Sequence, residues 1–397
     1  MKLVQINMSC GSGSTGKICI AVSRLLTEKG IENYIMYSLG NSDYSLGRRY
    51  MERREVKLQA LRSRILGNYG FNSKKATGRL IAMLDEIGPD VVHLHNLHAH
   101  NCQLEMLFTY FKEKNVKIYW TFHDCWAFTG YCPHYDMIGC DRWKTGGCQN
   151  CPQKGRYSWF FDKSRELFEK KKELFTGLPM TVITPSHWMA EQVKQSFLNI
   201  HDVKVIHNGI NLEIFRPRES DFRRRYGIGE DRYVILGVSF GWGERKGLDV
   251  FVELSKRLDD RFQLVLIGTD DDTDRQLPSN VISIHRTQNQ IELAEIYTAA
   301  DLLVNPTREE NYPTVHMEAL ACGTPVLSFA TGGCAEMLDD TCGMTVPKND
   351  VVAMEHAAVA ICQGKLYSSE ACVLKAREFC ESARFKEYVA LYGVGKD

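Results

Sequence analysis

Glu310 and Glu318 are separated by seven residues in VNPTREENYPTVHMEALACGTPVLSFATGGCAEM, the stretch that begins at Val304. Pro313 suits the first turn of a helix, where its missing N–H is not needed, and Thr314 and Val315 then offer N–H groups at the helix start. The pair thus places one carboxylate in the loop before a helix and the other on its second turn, on both sides of an anion site. Carboxylates are odd neighbours for an anion unless they accept hydrogen bonds from hydroxyls. A ligand with sugar and ribose hydroxyls at its ends and phosphates between them satisfies both demands, the helix dipole and N–H groups taking the phosphates.

Two further places carry groups of this kind. The loop GSGSTGK, Gly11 to Lys17, follows the apolar run KLVQINM, and Gly11, Gly16 and Lys17 have P-loop spacing. The next residue is Ile18, however, where a nucleotide triphosphatase needs Ser or Thr to hold magnesium. What remains at Gly11, Ser12, Gly13, Thr15 and Gly16 is either a backbone that can approach an anion at a helix N-terminus or a tight strand-to-helix turn without a ligand. His123, in TFHD, and Lys246, in GERKG, each follow a β-branched run; alone, either would be an ordinary structural or surface residue. Together, at carboxyl ends of strands facing one cleft, they fit the ligand rule of open α/β sheets.

Cys125, Cys132, Cys140, Cys148 and Cys151 crowd into one segment. Cys148 and Cys151 have the C-x2-C spacing that lets two thiolates reach one tetrahedral ion, and Cys132 and Cys140 can complete a structural zinc site from a loop; the alternative is a Cys- and aromatic-rich insertion packed without metal. The acidic run Asp270 to Asp274 could hold a hard cation, but loop charges are usually solvated.

The chain has 397 residues, 44% hydrophobic and 25% charged, proportions that exclude disorder, collagen and coiled coil and leave room for two domains. No apolar run approaches the ~20 residues of a membrane span and no signal-peptide h-region follows the N-terminus, so a cytoplasmic protein without disulfides is expected. Its balance of 49 basic and 49 acidic residues hides an asymmetry: residues 1–215 carry 28 against 20, and the remainder 21 against 29. Ten of the basic residues lie between Arg48 and Arg79, interleaved with Leu and Ile. Such a run is either a solvated helix face or a surface for anionic lipid.

Short β-branched runs alternate with amphipathic segments twice along the chain: KLVQINM, NYIMYSL, DVVHLH, KIYWTFHD, TVITPS and VKVIHNG, then YVILGVS, FQLVLIG, VISIHR, DLLVNPT and TPVLSFA. This predicts an α/β protein of two Rossmann-like domains with parallel sheets facing across a cleft. The expected division is 1–215, with the Cys-rich insertion 125–151, then 216–375, and a C-terminal helix in 376–397 packing back on the first domain.

The Glu-x7-Glu pair, ALACGTPVL, GGCAEM, the RKG of Arg245, Lys246 and Gly247, and VIHNGINLEIF resemble the two-domain GT-B glycosyltransferases of family 4, a retaining family. GSTGK, HDCWAFTGYC, GCQNCP and WGERKG are most similar to its colanic acid biosynthesis branch. The resemblance implies that Glu318 binds the ribose, Glu310 the donor sugar, and Lys246 with Arg245 the diphosphate. It implies that His123 reaches the sugar's hydroxymethyl or the scissile region and that the Gly11 to Gly13 backbone lies against the phosphates or acceptor. Where the family commonly has Gly-Phe-Gly after the first glutamate, this chain has Asn311, Tyr312 and Pro313, and Gly241 stands where an arginine is usual. The implied activity is transfer of a sugar from a nucleoside diphosphate, UDP most often and GDP next, with no cofactor needed for catalysis. The implied acceptor is a glycan, lipid-linked on polyprenyl diphosphate, at the inner membrane surface, in capsular, exopolysaccharide or O-antigen synthesis; nucleic acid is not a partner. A nucleotide-sugar epimerase and a non-catalytic nucleotide-sugar binder share these features and remain open, as does a P-loop kinase.

Overall fold

Alternate residues of each strand point to opposite faces, and in this chain both faces are apolar. The computed structural model describes residues 1–98 and 100–393, divided into a first unit of residues 1–207 with the chain from Arg384 onward, and a second unit, Asn208–Ala383. The first unit is a parallel sheet of β1 (Lys2–Ser9), β2 (Glu32–Leu39), β3 (Gly47–Arg49), β4 (Val91–Leu94), β5 (Lys117–Thr121), β6 (Met180–Thr184) and β7 (Asp202–Val205), in the order β3-β2-β1-β4-β5-β6-β7. Val4, Val92, Ile118, Trp120 and Val182 enter one core, and Leu3, Val91, Tyr119 and Ile183 the other. Burial on both faces is what parallel strands with helical crossovers require.

The second unit repeats the plan with β8 (Tyr233–Val238), β9 (Phe262–Ile267), β10 (Val281–Ile284), β11 (Leu302–Asn305), β12 (Val326–Phe329) and β13 (Gly343–Val346), in the parallel order β10-β9-β8-β11-β12-β13. Val234, Leu236, Val265 and Leu303 face one core, and Ile235, Leu264, Leu302 and Leu327 the other. In each sheet the first strand lies between the second and a later one, so the order reverses between β1 and β4 and between β8 and β11. Those switch points open a crevice beyond the carboxyl ends of the strands, the usual ligand position of such sheets.

Two sequence-based expectations differ from the structure, and two edge strands were not expected. The chain leaves the first unit after His207, not after Phe215, because Ile210 bonds to Phe379 (N to O, 2.8 Å) and Phe215 enters the second unit's core. The segment 376–397 divides: Ala376 and Phe379 belong to that same core, whereas Phe385, Tyr388, Val389 and Tyr392 pack in the first unit, with the Tyr392 hydroxyl 2.6 Å from His93 Nδ1. The edge strands β3 and β13 carry too few apolar residues to stand out in the sequence.

Candidate active site

In the second unit, the chain leaves β8 through a turn at Glu244–Lys246 and enters the helix Leu248–Arg257. Gly247 adopts φ +77°, and a Cβ there would lie 2.5 Å from the Pro306 carbonyl oxygen, so glycine alone lets this turn press on the exit of β11. Two straps join the loops. The Arg308 N–H donates to the Arg245 carbonyl at 2.9 Å, and the Arg245 guanidinium donates to the Glu309 carbonyl at 3.4 Å. The buried Arg308 side chain forks onto Asp249 at 2.7 and 2.6 Å, donates to Asn349 at 2.6 Å and also bonds to the Glu244 carbonyl. Burial opposes ionisation of Asp249, but the Arg308 fork outweighs it and holds the carboxyl below its ordinary range.

These straps bring together two of the residues singled out from sequence. Lys246 Nζ lies 2.7 Å from Glu310 Oε2, with 23% and 21% of the two side chains exposed. Glu310 is held from behind by the loop after β12: Gly332 adopts φ +54°, a Cβ there would overlap the Glu310 carbonyl oxygen at 1.7 Å, and the Gly333 N–H donates to the Asn311 carbonyl at 2.9 Å. The helix Thr314–Ala321 begins directly afterwards, with Pro313 in the capping position and not inside the first turn, where its side chain offers no capping bond. Thr314 and Val315 are partly exposed at its start, whereas Asn311 and Tyr312 are buried. Glu318, on the second turn, accepts from the Tyr297 hydroxyl at 3.1 Å. Burial first, and then the Glu318 charge, push the Tyr297 phenol well above its ordinary value, so it stays a donor and orients the carboxylate.

In the first unit, Gly11 adopts φ +79° and its N–H donates to the Gly16 carbonyl at 3.0 Å, closing the loop on itself. Gly16 has no room for a Cβ, which would meet Ser9 Oγ at 2.8 Å. Ser12 and Gly13 are exposed, and Thr15 Oγ1 accepts from Asn7 at 3.4 Å. Ile18 is buried in the core with Val22, which gives the mismatch with a P-loop its physical reason.

At the ends of β4 and β5 lies a relay that sequence reading missed apart from His123. Gln5 Nε2 donates to the Cys19 carbonyl at 2.9 Å, which turns Gln5 Oε1 toward His95 Nε2 at 3.3 Å. His95 Nε2 must therefore carry its proton, so Nδ1 is an acceptor, and it lies 3.1 Å from His123 Nε2. The chain of bonds assigns the His123 proton to Nε2. Burial holds His95 well below the ordinary imidazole value, with help from His93 and His123, and burial together with His123 holds His93 at about 3. Burial and His98 lower His123 to about 4 against the opposing charge of Asp124. Asp124 binds His98 at 2.7 Å and the Trp126 N–H at 2.9 Å, and although burial opposes its charge these partners hold it at about 2. The signal in the sequence was the alternation in HLHNLH, which puts His93 and His95 on one side of β4.

The acidic run has local partners: Asp270 caps a single turn by accepting from the Thr273 N–H at 2.8 Å, and Asp274 binds His285 at 2.7 Å. Cys132, Cys140, Cys148 and Cys151 line one pocket of the first unit.

Two parallel α/β units, each presenting polar groups at its own switch point, define the GT-B class of glycosyltransferase. Solved structures agree on this fold: a sucrose-phosphate synthase from Thermosynechococcus elongatus has a TM-score of 0.72 at 18% identity, covering 99% of this chain and 98% of that one. HepE from Anabaena, solved with UDP-glucose, has a TM-score of 0.70 at 13% identity with 99% of each chain covered. Residues 16–214 match Glycosyltransferase Family 4 and residues 232–363 match Glycosyl transferases group 1. The chain belongs to glycosyltransferase family 4. A relative from Escherichia coli (strain K12), WcaC, named as a colanic acid biosynthesis glycosyl transferase, is 24% identical over 371 residues, 89% of each chain.

Two predictions follow from the histidines. Replacing Gln5 by Leu removes the acceptor that orders the relay, so the ring nitrogens of His123 should lose their fixed tautomer in nitrogen-15 correlation spectra; an unchanged pattern would show that Gln5 does not set it. Because the folded-state values of His93, His95 and His123 lie below the ~6.5 of an unfolded imidazole, their contribution to stability is complete above that pH and declines as pH falls toward the folded values. The urea midpoint should therefore drop between pH 7 and pH 5, and a constant midpoint would contradict the assignment.

Proposed function

We propose that this enzyme transfers a hexose with retention from a UDP-sugar to a glycan carried on polyprenyl diphosphate, in capsular, exopolysaccharide or O-antigen synthesis. The observation that carries this reading is the Lys246–Glu310 pair beside the start of the helix Thr314–Ala321. Breaking a glycosyl phosphate bond develops positive charge at the anomeric carbon and negative charge on the leaving diphosphate. Lys246, Arg245 and the N–H groups of Thr314 and Val315 would stabilise the leaving group, which is usually a large catalytic contribution. Glu310 would accept from sugar hydroxyls and Glu318, oriented by Tyr297, from the ribose. A diphosphate that reaches Lys246 shares it with Glu310, which couples sugar contact to leaving-group contact.

In a retaining transfer the acceptor hydroxyl attacks from the face that the diphosphate leaves, and a phosphate oxygen takes its proton. No acid and base pair at glycosidase spacing is then required. His123, whose Nε2 proton is given to His95, would meet the donor sugar through the acceptor Nδ1, and the Gly11–Gly16 loop would meet the phosphates or the acceptor. The solved complex of HepE with UDP-glucose supports UDP over GDP, and the likeness to WcaC supports a polysaccharide product.

A membrane-bound acceptor is supported by the surface of the first unit. The helix Arg53–Leu66 exposes Leu58, Leu61, Ile65 and Leu66 among Arg54, Lys57, Arg62 and Arg64. Trp159, Phe160 and Phe161 are each at least half exposed (50%, 64% and 53%), and the Trp159 N–H donates to the Arg64 carbonyl at 2.7 Å, which joins the aromatic loop to the end of that helix. Cations beside exposed aromatic and aliphatic residues match the headgroup region of an anionic bilayer. Among the described residues no helix is long and apolar enough to cross a membrane.

Lys246→Ala should reduce turnover at least ~100-fold, the scale of losing one preorganised donor to a developing anion. Transfer near the wild-type rate would remove Lys246 from the mechanism, and proton NMR of the first product formed reports whether the anomeric configuration is retained. Vesicles rich in anionic lipid should carry the protein in flotation, neutral vesicles should not, and Trp159→Ser with Phe160→Ser should lose the association. Equal flotation on both vesicle types would argue against the charge-based docking.

A further inference from the structure

The segment between Thr129 and Gln153 contains neither helix nor strand, yet it lies against the first unit's core through Tyr131, Tyr135 and Trp143. Four of its residues, Cys132, Cys140, Cys148 and Cys151, line a single pocket. Arg142 ties the two arms of the loop by donating to the Gln149 carbonyl at 3.0 Å and to the Asn150 carbonyl. The Gly130 N–H donates to Cys148 Sγ at 3.1 Å, the kind of bond that orients a metal-ligating thiolate.

Behind this pocket lies a buried lysine without a bonded carboxylate. Lys171, on the helix Ser164–Thr176, is completely buried. Its ammonium donates to the carbonyls of Trp126, Thr129 and Gly130 at 2.8, 3.0 and 3.3 Å and lies 3.6 Å from the centre of the Trp126 ring. Among the described residues no carboxylate is within ion-pair distance of it. A buried cation with only carbonyl and ring contacts is costly unless a compensating negative charge is close.

We propose that Cys132, Cys140, Cys148 and Cys151 bind a structural Zn²⁺ and that Lys171 is the counter-cation of the resulting tetrathiolate centre. Zn²⁺ with four thiolates carries a net charge of −2, which the ammonium beneath the Thr129–Gly130 backbone offsets. The four thiol protons are released to solvent as the four Zn–S bonds form, so no oxidant or reductant enters. No three of the four sulfurs lie within 4.8 Å of one another, so coordination draws the lining of the pocket inward. Gly146 and Gly147, both at positive φ, lie just before Cys148. The four-sulfur donor set and tetrahedral preference select zinc over the hard cations. The metal would clip a loop that has no secondary structure of its own, next to the Asp124–Phe128 turn that follows His123.

The test is elemental analysis of the full chain purified without chelator and, separately, after cobalt substitution. The expected result is about one zinc per chain and, with cobalt, the intense visible bands of a tetrahedral thiolate site. Cys148→Ser with Cys151→Ser should abolish both. Lys171→Met, which keeps the buried volume apolar, should retain the fold by circular dichroism and lower zinc affinity about tenfold in chelator competition, a typical loss for an outer-sphere change. Less than about 0.2 zinc per chain after zinc-supplemented expression would overturn the metal site, as would mass spectrometry finding the four cysteines in disulfides or iron in place of zinc. Unchanged affinity in Lys171→Met would overturn the counter-cation assignment.

Discussion

A parallel sheet delivers the carboxyl end of every strand to one edge, and everything chemical in this protein depends on that constraint. The Gly11–Gly16 loop and the His95–His123 contact lie at the carboxyl ends of β1, β4 and β5, and Lys246 and Glu310 follow β8 and β11. Residues that are 64 positions apart in sequence meet at 2.7 Å because β8 and β11 are neighbours in register, with Leu302 opposite Ile235. Moving the chemistry to another edge would require reversing a strand, and each strand is held by apolar side chains on both faces. A fully buried Leu, Ile or Val contributes about 1.5–3 kcal/mol relative to its exposed state.

The loops that carry the reactive groups have little apolar surface of their own and are ordered by polar ties instead. Arg308 is the main one in the second unit, where a single guanidinium holds a helix carboxylate, an amide and a carbonyl from three segments. Glycines supply the rest, because Gly247 and Gly332 let backbone meet backbone at distances that any side chain would prevent. Both devices set where Lys246 and Glu310 sit.

The apolar strands, the two-unit plan and the local placement of Lys246, Glu310 and Glu318 were legible because they rest on periodicity and local spacing. Eleven apolar runs gave eleven strands, while Gly47–Arg49 and Gly343–Val346, at the sheet edges, lack the apolar content that such a pattern detects. The boundary near residue 207 was not legible, since Ile210 joins the second unit through hydrogen bonds to Phe379 and Glu381, far along the chain. Asn311 and Tyr312 looked like site residues by position alone, and the structure buries them. Arg308, Gln5 and Tyr297 escaped notice for the converse reason, as each acts through a partner distant in sequence.

The two units meet opposite electrical demands, and their residue choices follow. The second, which on the proposed reading accepts a diphosphate, keeps permanent charges but pairs Lys246 with Glu310 so that neither is stranded in a half-buried site. The first presents imidazoles that burial keeps uncharged near neutral pH, joined donor to acceptor from the Cys19 carbonyl through Gln5 and His95 to His123. With the His123 Nε2 proton given to His95, Nδ1 of a neutral ring is an acceptor, which on the proposed reading would take a hydrogen bond from a sugar hydroxyl without adding a cation near an anomeric carbon that is becoming positive. If His123 meets the donor as proposed, a protonated ring would oppose the positive charge that develops in the transition state, and its lowered basicity would then serve the transfer. The net neutrality of the whole chain conceals this division, and the sign that matters is local to each strand end.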